Sequence, residues 1–393
     1  MSSARHALSL SQARRAWLAA QGLGAPSGGT LSAQVAAMGW LPAPTAASAW
    51  LALAARGVPD AAAALDAAVS KGELVWLPGP RGMMWVVPVS EAPLARAFAV
   101  ADHAAREARI AASTEITSRE LVSLRELVRR ALEGPETPEA LRAGLPGWAL
   151  RPLGPVGKRV GCATVAGLVL RGLWCQGELV RQTVSQAVDE GPWRYAVAPW
   201  PKVVPNAADA VEAVGRRWFA AHGPASMRDF ATAFGIALGR AQSALKGLGL
   251  VGVSVDALGD DCWVLPEFEV PPDAPPEGFA LLPFRDALTD ARPSLAGLGA
   301  ESVLRQAMLK SLGPGPVVLR GGEVVAGWFR APNEVTLTLR LWAPLGASER
   351  ASFDAAAATM MGEINRTSRE LTGHEGPRGR LPEALHPSLG GGL

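Results

Sequence analysis

Three stretches of the chain repeat one pattern of hydrophobic and polar positions. In each stretch a helical run of alanine, leucine and valine ends at a glycine, and two short apolar runs joined by a turn follow it. The glycines are Gly72, Gly177 and Gly249. Glycine is typical of the position just past a helix, because it adopts the left-handed backbone conformation without steric cost. The repeat therefore predicts three copies of a unit in which a helix precedes a β-hairpin.

A helix, a glycine and a hairpin form the second half of a winged helix-turn-helix, with the hairpin as the wing. Further helical patterns, each beginning at an N-cap residue, supply the first half. The predicted caps are Ser9, Thr45, Asp60, Thr117, Thr137, Asn206 and Ser226. We expect an α+β fold with three tandem winged helix-turn-helix units at residues 1–112, 113–204 and 205–270.

The pattern changes after residue 270. Residues 266–276 carry five prolines, which indicates a linker or a domain edge. Beyond them apolar and polar residues alternate, and Gly321-Gly322 between two apolar runs predicts a hairpin. Residues 271–372 are therefore expected to form a small, barrel-like β domain that a helix at 350–370 closes. The tail, 373–393, is rich in glycine and proline and is predicted to be disordered.

Composition limits the kinds of protein this chain can be. Of its 393 residues, 49% are hydrophobic and 19% are charged, which excludes wholesale disorder. The net charge of only +2 means that any basic surface must be local, and it is carried almost entirely by arginine, because there are five lysines. The three cysteines and five histidines have neither disulfide nor metal-site spacing. We therefore expect no metal and no cofactor.

No segment of the sequence predicts a membrane partner. The longest apolar run, residues 160–170, falls short of the ~20 residues that span a bilayer. Arg14 and Arg15 interrupt the apolar stretch near the N-terminus, so no signal peptide is predicted. We expect a cytoplasmic, nucleoid-associated monomer.

A winged helix presents its third helix to the major groove of DNA and its wing to the backbone or the minor groove. The expected partner is therefore double-stranded DNA. The candidate DNA-binding residues are Arg81 in the first unit, Lys158, Arg159, Arg171 and Arg181 in the second, and Arg240, Gln242, Ser243 and Lys246 in the third. An ordinary solvated helix face would have the same composition. The sequence therefore leaves open whether these residues contact DNA or are simply exposed to solvent. The third helix of the first unit carries Asp60 and Asp66 and is expected to pack internally.

Six groups of residues lie along the chain in the order found in a known family. They are residues 8–15, 38–56, 81–87, 222–230, 281–292 and 327–328. Together they span nearly the whole chain and resemble the winged-helix DNA glycosylases that unhook interstrand crosslinks in bacteria. The resemblance implies three winged helices and a C-terminal β domain wrapped around duplex DNA, and a role in the repair of alkylated or crosslinked DNA.

The sequence departs from this family at its catalytic motif. The family carries Gln-x-Gln or Gln-x-Asp directly before the helix that here begins at Thr45, and the matching positions are Pro42 and Pro44. Glycosidic cleavage builds positive charge on the sugar, and a carboxylate or amide must stabilise that charge and orient the attacking water. Proline has no side-chain acceptor, and Gln34 is a poor substitute. We expect the glycosylase activity to be lost or greatly weakened, with no catalytic residue at these positions.

Three hypotheses about function remain at this stage. In the first, the chain binds DNA without the family chemistry, and the rigid segment 42–44 acts as an apolar wedge against the duplex. In the second, it is an active glycosylase that uses a carboxylate from Asp60, Asp286 or Asp290, although an N-cap role for Asp60 and an arginine ion pair for Asp286 explain those residues better. In the third, it is a transcriptional regulator.

Overall fold

The apolar runs and capping residues of the sequence form a mixed α+β structure. The computed structural model describes residues 6–23, 28–183, 193–198, 206–256, 258–271, 278–292, 297–299, 315–329, 338–341 and 345–372. The predicted disordered tail, 373–393, lies outside the described residues, as do residues 272–276 of the proline-rich segment. No helix in the described ranges is both long and apolar enough to cross a bilayer.

The first repeat follows a short N-terminal arm. The arm consists of β1 (His6–Leu8) and α1 (Leu10–Ala20). The repeat consists of α2 (Leu31–Ala37), β2 (Leu41–Pro42), α3 (Ala46–Ala54), α4 (Ala61–Ser70), β3 (Leu74–Pro78) and β4 (Met84–Pro88). β4 lies between β2 and β3 and is antiparallel to both. A long helix, α5 (Ala92–Ala111), leads to the second repeat.

The second and third repeats also consist of helices followed by a two-stranded hairpin, but the second has one α-helix more than the first and the third. The second contains α6 (Ser118–Ala131), α7 (Pro138–Ala143), α8 (Gly154–Arg159), α9 (Val165–Cys175), β5 (Leu179–Thr183) and β6 (Trp193–Val197). The third contains α10 (Ala207–His222), α11 (Met227–Phe234), α12 (Leu238–Ala244), β7 (Val251–Val255) and β8 (Gly259–Val264). Single antiparallel bridges, Glu136 with Tyr195 and Ala225 with Trp263, occupy the place that β2 has in the first repeat.

The C-terminal region is an open sheet covered by a helix. It contains β9 (Phe279–Leu282), α13 (Ala287–Asp290), β10 (Val317–Arg320), β11 (Glu323–Phe329), β12 (Thr338–Leu341) and α14 (Ala347–Thr372). The strand order is β12-β11-β10-β9, all antiparallel, and the predicted hairpin at Gly321-Gly322 joins β10 to β11. The alternation of apolar and polar residues predicts a strand over residues 335–341, of which residues 335–337 lie outside the described residues.

The expectation of a barrel-like domain is wrong, because no sheet in the described residues closes on itself. Four strands are too few to close a barrel, so the apolar face must be buried by another element. α14 does this. Phe353 of α14 lies edge-on to Phe279 of β9, with ring centroids 5.4 Å apart, and Ile364 of α14 is buried in the same core as Val318. That core also contains α3 and α4 of the first repeat, so the sheet and the first repeat share one hydrophobic cluster.

Most helices begin where the sequence predicts. The side chains of Ser9, Thr45, Thr117, Thr137, Asn206 and Ser226 each accept a hydrogen bond from a backbone N–H of the first helical turn. Asp60 is the exception: its backbone is left-handed, with φ 48° and ψ 45°, and its side chain does not cap α4. Glu363 of α14 instead accepts a hydrogen bond of 3.2 Å from the Ala61 N–H. α4 therefore begins directly after Asp60 as predicted, but the predicted capping by the Asp60 side chain is wrong.

Two long-range features hold the arm and the repeats together. β1 pairs in parallel with β7, His6 opposite Val253, so the arm extends the hairpin sheet of the third repeat. In addition, Arg56 at the end of α3 is buried and forms two hydrogen bonds with Asp286 at the start of α13, of 2.7 and 3.0 Å. Arg56 also donates to the main-chain oxygen of Gln21 in the arm. One guanidinium thus connects the arm, the first repeat and the C-terminal region.

Candidate nucleic-acid interface

The segment that replaces the glycosylase motif is fixed in place by a strand and a helix cap. Pro42 is buried in β2 opposite Trp85, and Ala43 donates a 2.9 Å hydrogen bond to the main-chain oxygen of Met84. Pro44 is half-buried and directly precedes Thr45, the N-cap of α3. Because Pro42 and Ala43 are buried, the hypothesis that the whole segment forms an exposed wedge is wrong.

Two of the three candidate substitute carboxylates are already occupied. The Asp286 side chain is fully buried and caps α13 through the Leu288 N–H. It is paired with an arginine as predicted, but that arginine is Arg56, 230 positions away along the chain. The Asp290 side chain is only 3% exposed and is paired with both Arg81 and Arg285. Neither carboxylate can approach a sugar without breaking an ion pair with an arginine that lies at least partly out of solvent. The third candidate, Asp60, is exposed at the start of α4.

The helix α5 organises the predicted basic residues, although the sequence indicates only a connecting helix here. Asp102 and Arg106 lie one turn apart on α5, and Arg106 Nε donates to Asp102 at 2.7 Å. Arg106 Nη1 also donates to the main-chain oxygen of Val160, at 2.6 Å. Val160 directly follows Lys158 and Arg159, which are exposed at the end of α8. Arg106 therefore fixes these two cations beside α5.

The tip of the first hairpin packs against the same helix. Arg171 of α9 donates to the main-chain oxygen of Gly82 at 2.7 Å and lies 3.9 Å from the Asp102 carboxylate. A Cβ added at Gly82 would come within 2.6 Å of Asp102 and Arg106 and 2.9 Å of Arg171. Gly82 has φ 65°, a backbone conformation that glycine adopts without steric cost, and it brings the tip against the side chains of α5 and α9. This use of the first hairpin is not visible in the sequence.

Arg81, next to Gly82, is less available than the sequence suggests. Its guanidinium forms an ion pair with the buried Asp290 and lies 6.0 Å from the centre of the Trp85 ring. Its side chain is 21% exposed. Arg81 is therefore both a structural partner of Asp290 and a wall of a cavity that it shares with Arg240.

The third repeat presents the predicted polar face to solvent. Arg240, Gln242, Ser243 and Lys246 are exposed, whereas Ala241, Leu245 and Leu248 are buried. The helical period of the sequence predicts a helix over residues 236–248 with Ala237 on its apolar face. In the structure Ala237 precedes the helix and is exposed. The regular helix is also shorter, since α12 ends at Ala244 and a 3-10 turn follows over Leu245–Leu248.

We call the connected set of cations along α5 the basic belt. It consists of Lys158, Arg159, Arg106, Arg171, Arg81 and Arg240. Five of its six members are candidates from the sequence, and Arg106 is the addition. Its spacing from Asp102, four residues on one helix face, is the signal that could have identified it. Arg181 is a separate case: it lies on β5 with its guanidinium 5.6 Å from the Trp174 ring.

The thiols beside the belt carry no charge that would oppose it. Burial raises the pKa of Cys175 to about 12 and also raises the pKa of Cys162, against the opposing effect of Arg171. Both thiols are therefore neutral near pH ~7. Within the described ranges no group of three or more His, Cys, Asp and Glu side chains could hold a metal ion.

The fold just described is one that DNA glycosylases use. The solved structure of the Streptomyces sahachiroi DNA glycosylase AlkZ is similar to this chain with a TM-score of 0.69 and 19% sequence identity, over 89% of this chain and 96% of that one. A family model described as DNA glycosylase AlkZ-like matches residues 35–362. The chain belongs to this family. No curated protein matches it.

Proposed function

We propose that this chain binds double-stranded DNA as a member of the AlkZ-like family whose glycosidic hydrolysis has been lost or greatly weakened. We further propose that its three repeats act as winged helices and that its target is DNA damaged by alkylation or crosslinking. The observation that carries the proposal is the pair of prolines, Pro42 and Pro44, at the positions of the catalytic motif.

The chemical argument rests on what those two positions can offer. Hydrolysis of an N-glycosidic bond needs a side chain that accepts a hydrogen bond from water or opposes the positive charge of the sugar. Pro42 is buried and Pro44 is half-buried, and neither has an acceptor beyond its carbonyl. Asp286 and Asp290 are held by Arg56, Arg81 and Arg285. An active enzyme that uses Asp286 or Asp290 therefore has little support, and Asp60, which is exposed, is the substitute carboxylate on which that alternative depends.

DNA binding is supported by the basic belt and the exposed face of α12. Arg240 and Lys246 provide cations for phosphate, and Gln242 provides an amide that can read a base edge. Membership of a DNA glycosylase family favours repair over the transcriptional regulator that the sequence left open.

The test uses a labelled duplex that carries an N7-alkylated base, scored both for retention by the protein and for abasic product. We expect retention without product from the wild-type chain. The Pro42→Gln/Pro44→Gln double variant restores the family motif, and the abasic product that it forms shows whether the rest of the chain can still support base excision. If the wild-type chain forms abasic product, at a rate that the double variant changes, the proposed loss of glycosylase activity is wrong. If the wild-type chain binds no duplex, the proposed DNA binding is wrong.

A further inference from the structure

A cavity of about 340 Å³ opens where the first hairpin, α5 and the third repeat meet. Arg81, Asp102 and Arg240 supply its polar lining, and Phe98 and Phe234 supply an apolar wall whose rings lie 5.3 Å apart. A volume of this size lies at the lower end of the range of small-ligand pockets, which combine an apolar wall with a few polar groups. The cavity therefore has the composition of a binding site.

Arg81 is held in this cavity at a conformational cost. Its backbone is left-handed, with φ 60° and ψ 13°, a region that residues other than glycine rarely adopt. A Cβ added at Gly235 would come within 2.8 Å of Arg81 Cγ, so the third repeat leaves room for the arginine stem. Arg81 Nε is buried and makes no hydrogen bond within the described chain. Strained and incompletely bonded groups of this kind concentrate at binding sites.

The charges around the cavity favour an anion. Asp290 is shared between Arg81 and Arg285, which leaves one positive charge in excess. Asp102 is likewise bonded to Arg106 and lies 3.9 Å from Arg171. Arg240, which is exposed, adds a further positive charge. Of the charged residues that line the cavity itself, two are arginines, Arg81 and Arg240, and one is a carboxylate, Asp102.

We propose that this cavity receives one nucleotide unit, with its phosphate between Arg81 and Arg240 and its base against the apolar wall near Phe98. Guanidinium groups bind phosphate through paired hydrogen bonds, and any base can stack on an apolar surface. The nucleotide comes from a DNA strand bound to the basic belt, so this source rests on the proposed function. A free mononucleotide has the same chemistry and is the other source.

The experiment fills the cavity without disturbing its charges. Ala101 is exposed on α5 and lines the cavity, so Ala101→Leu places a larger side chain inside it. Ala104→Leu is the matched control, because Ala104 is exposed on the same helix and does not line this cavity. The probes are a duplex and a free mononucleotide, each carrying a fluorescent adenine analogue that brightens when it is unstacked.

We expect the wild-type chain and Ala104→Leu to brighten the duplex probe. Ala101→Leu should abolish that change and lower affinity for the duplex roughly tenfold or more, since it removes a base contact. Arg240→Gln should have the same effect and gives a second measurement if Ala101→Leu lowers the melting temperature.

Failure of the two proposals can be told apart. If the wild-type chain binds the free mononucleotide, and Ala101→Leu and Arg240→Gln abolish that binding, the cavity assignment holds even when no duplex is retained. If the duplex is retained equally by the wild-type chain and all three variants, with no brightening and no mononucleotide binding, the cavity assignment is overturned while duplex binding stands.

Discussion

The first and third repeats both consist of three α-helices followed by a hairpin but place their charges in opposite ways. In the first, Arg56 and Arg81 reach inward to the buried aspartates of the C-terminal region. In the third, Arg240 and Lys246 lie exposed on and just after α12. The fully buried pair of Arg56 with Asp286 is committed to the fold, whereas an exposed cation is free to meet a ligand. One architecture therefore serves as an anchor in one copy and as a candidate contact surface in another.

The largest effect is expected where the first repeat is anchored. Asp286→Asn leaves the buried Arg56 guanidinium uncompensated, and we expect it to lower the free energy of unfolding by about 3–5 kcal/mol. Urea unfolding measures this. Asp354→Asn is the control, because Asp354 pairs with Arg350 on the surface of α14, where both side chains are mostly exposed, and should cost less than about 1 kcal/mol. Equal losses in the two variants would contradict the anchor role.

The contact surface of the third repeat can be examined through the salt dependence of DNA binding. Arg240→Gln combined with Lys246→Gln should weaken binding to duplexes of any sequence and reduce the slope of log affinity against log salt by about 2, if each residue contacts one phosphate. Arg350→Gln, an exposed change on α14, should leave the slope as it is. If the slope is unchanged in the double variant, Arg240 and Lys246 do not contact phosphate, and the DNA-binding surface is to be sought around Lys158 and Arg159.

Acid should weaken the junction between the arm and the third repeat. Burial, followed by the charges of Arg292 and Arg56, holds the pKa of His222 well below its ordinary value. The unfolded chain takes up this proton near pH ~6.5, whereas the folded chain does not. The resulting stability is complete above that pH and is lost as the pH falls, by up to about 1.4 kcal/mol per pH unit.

His222→Gln removes this titration. Unfolding free energies measured by urea at about pH 7.5 and about pH 5.5 should therefore fall more steeply in the wild-type chain than in the variant. Carboxylates contribute equally to both proteins, so the difference isolates His222. Parallel losses in the two proteins would show that His222 is not the acid-sensitive group.

The smallest effect concerns how the third repeat begins its second helix. Ser226 accepts a hydrogen bond from the Asp229 N–H, and the Asp229 side chain accepts one from the Ser226 N–H. Ser226→Ala should lower stability by about 1 kcal/mol. Ser123→Ala, an exposed change inside α6, should stay within about 0.5 kcal/mol of the wild-type chain. A thermal melt of each protein distinguishes the two.

Features that depend on near neighbours were predictable. Ser226 and Thr117 cap helices because their partners lie three residues away, and the hairpin at Gly321-Gly322 is equally local. The exposed face of α12 follows from the helical period alone. The sheet of the C-terminal region was predicted as strands but not as an open layer, because closure depends on how many strands pair and on what covers them.

Features that depend on distant partners were not predictable. Arg81 and Asp290 are separated by 209 positions, and nothing near either residue indicates that they pair. The same holds for Arg106 and Val160, whose contact gathers the basic belt around α5. For the candidate site, the sequence therefore identified most of the cations and the two prolines. It did not indicate which cations form ion pairs within the protein, as Arg81 does with Asp290.

The pairing of β1 with β7 has a consequence for how the molecule is assembled. His6 emerges from the ribosome long before Val253, its partner, so the nascent chain must leave this strand waiting while three modules are synthesised. The strand that is synthesised first, β1, is thus among the last to find its partner in the folded sheet. A protein domain fused ahead of β1 would hinder this late pairing, so we expect it to destabilise the hairpin of β7 and β8 in the third repeat.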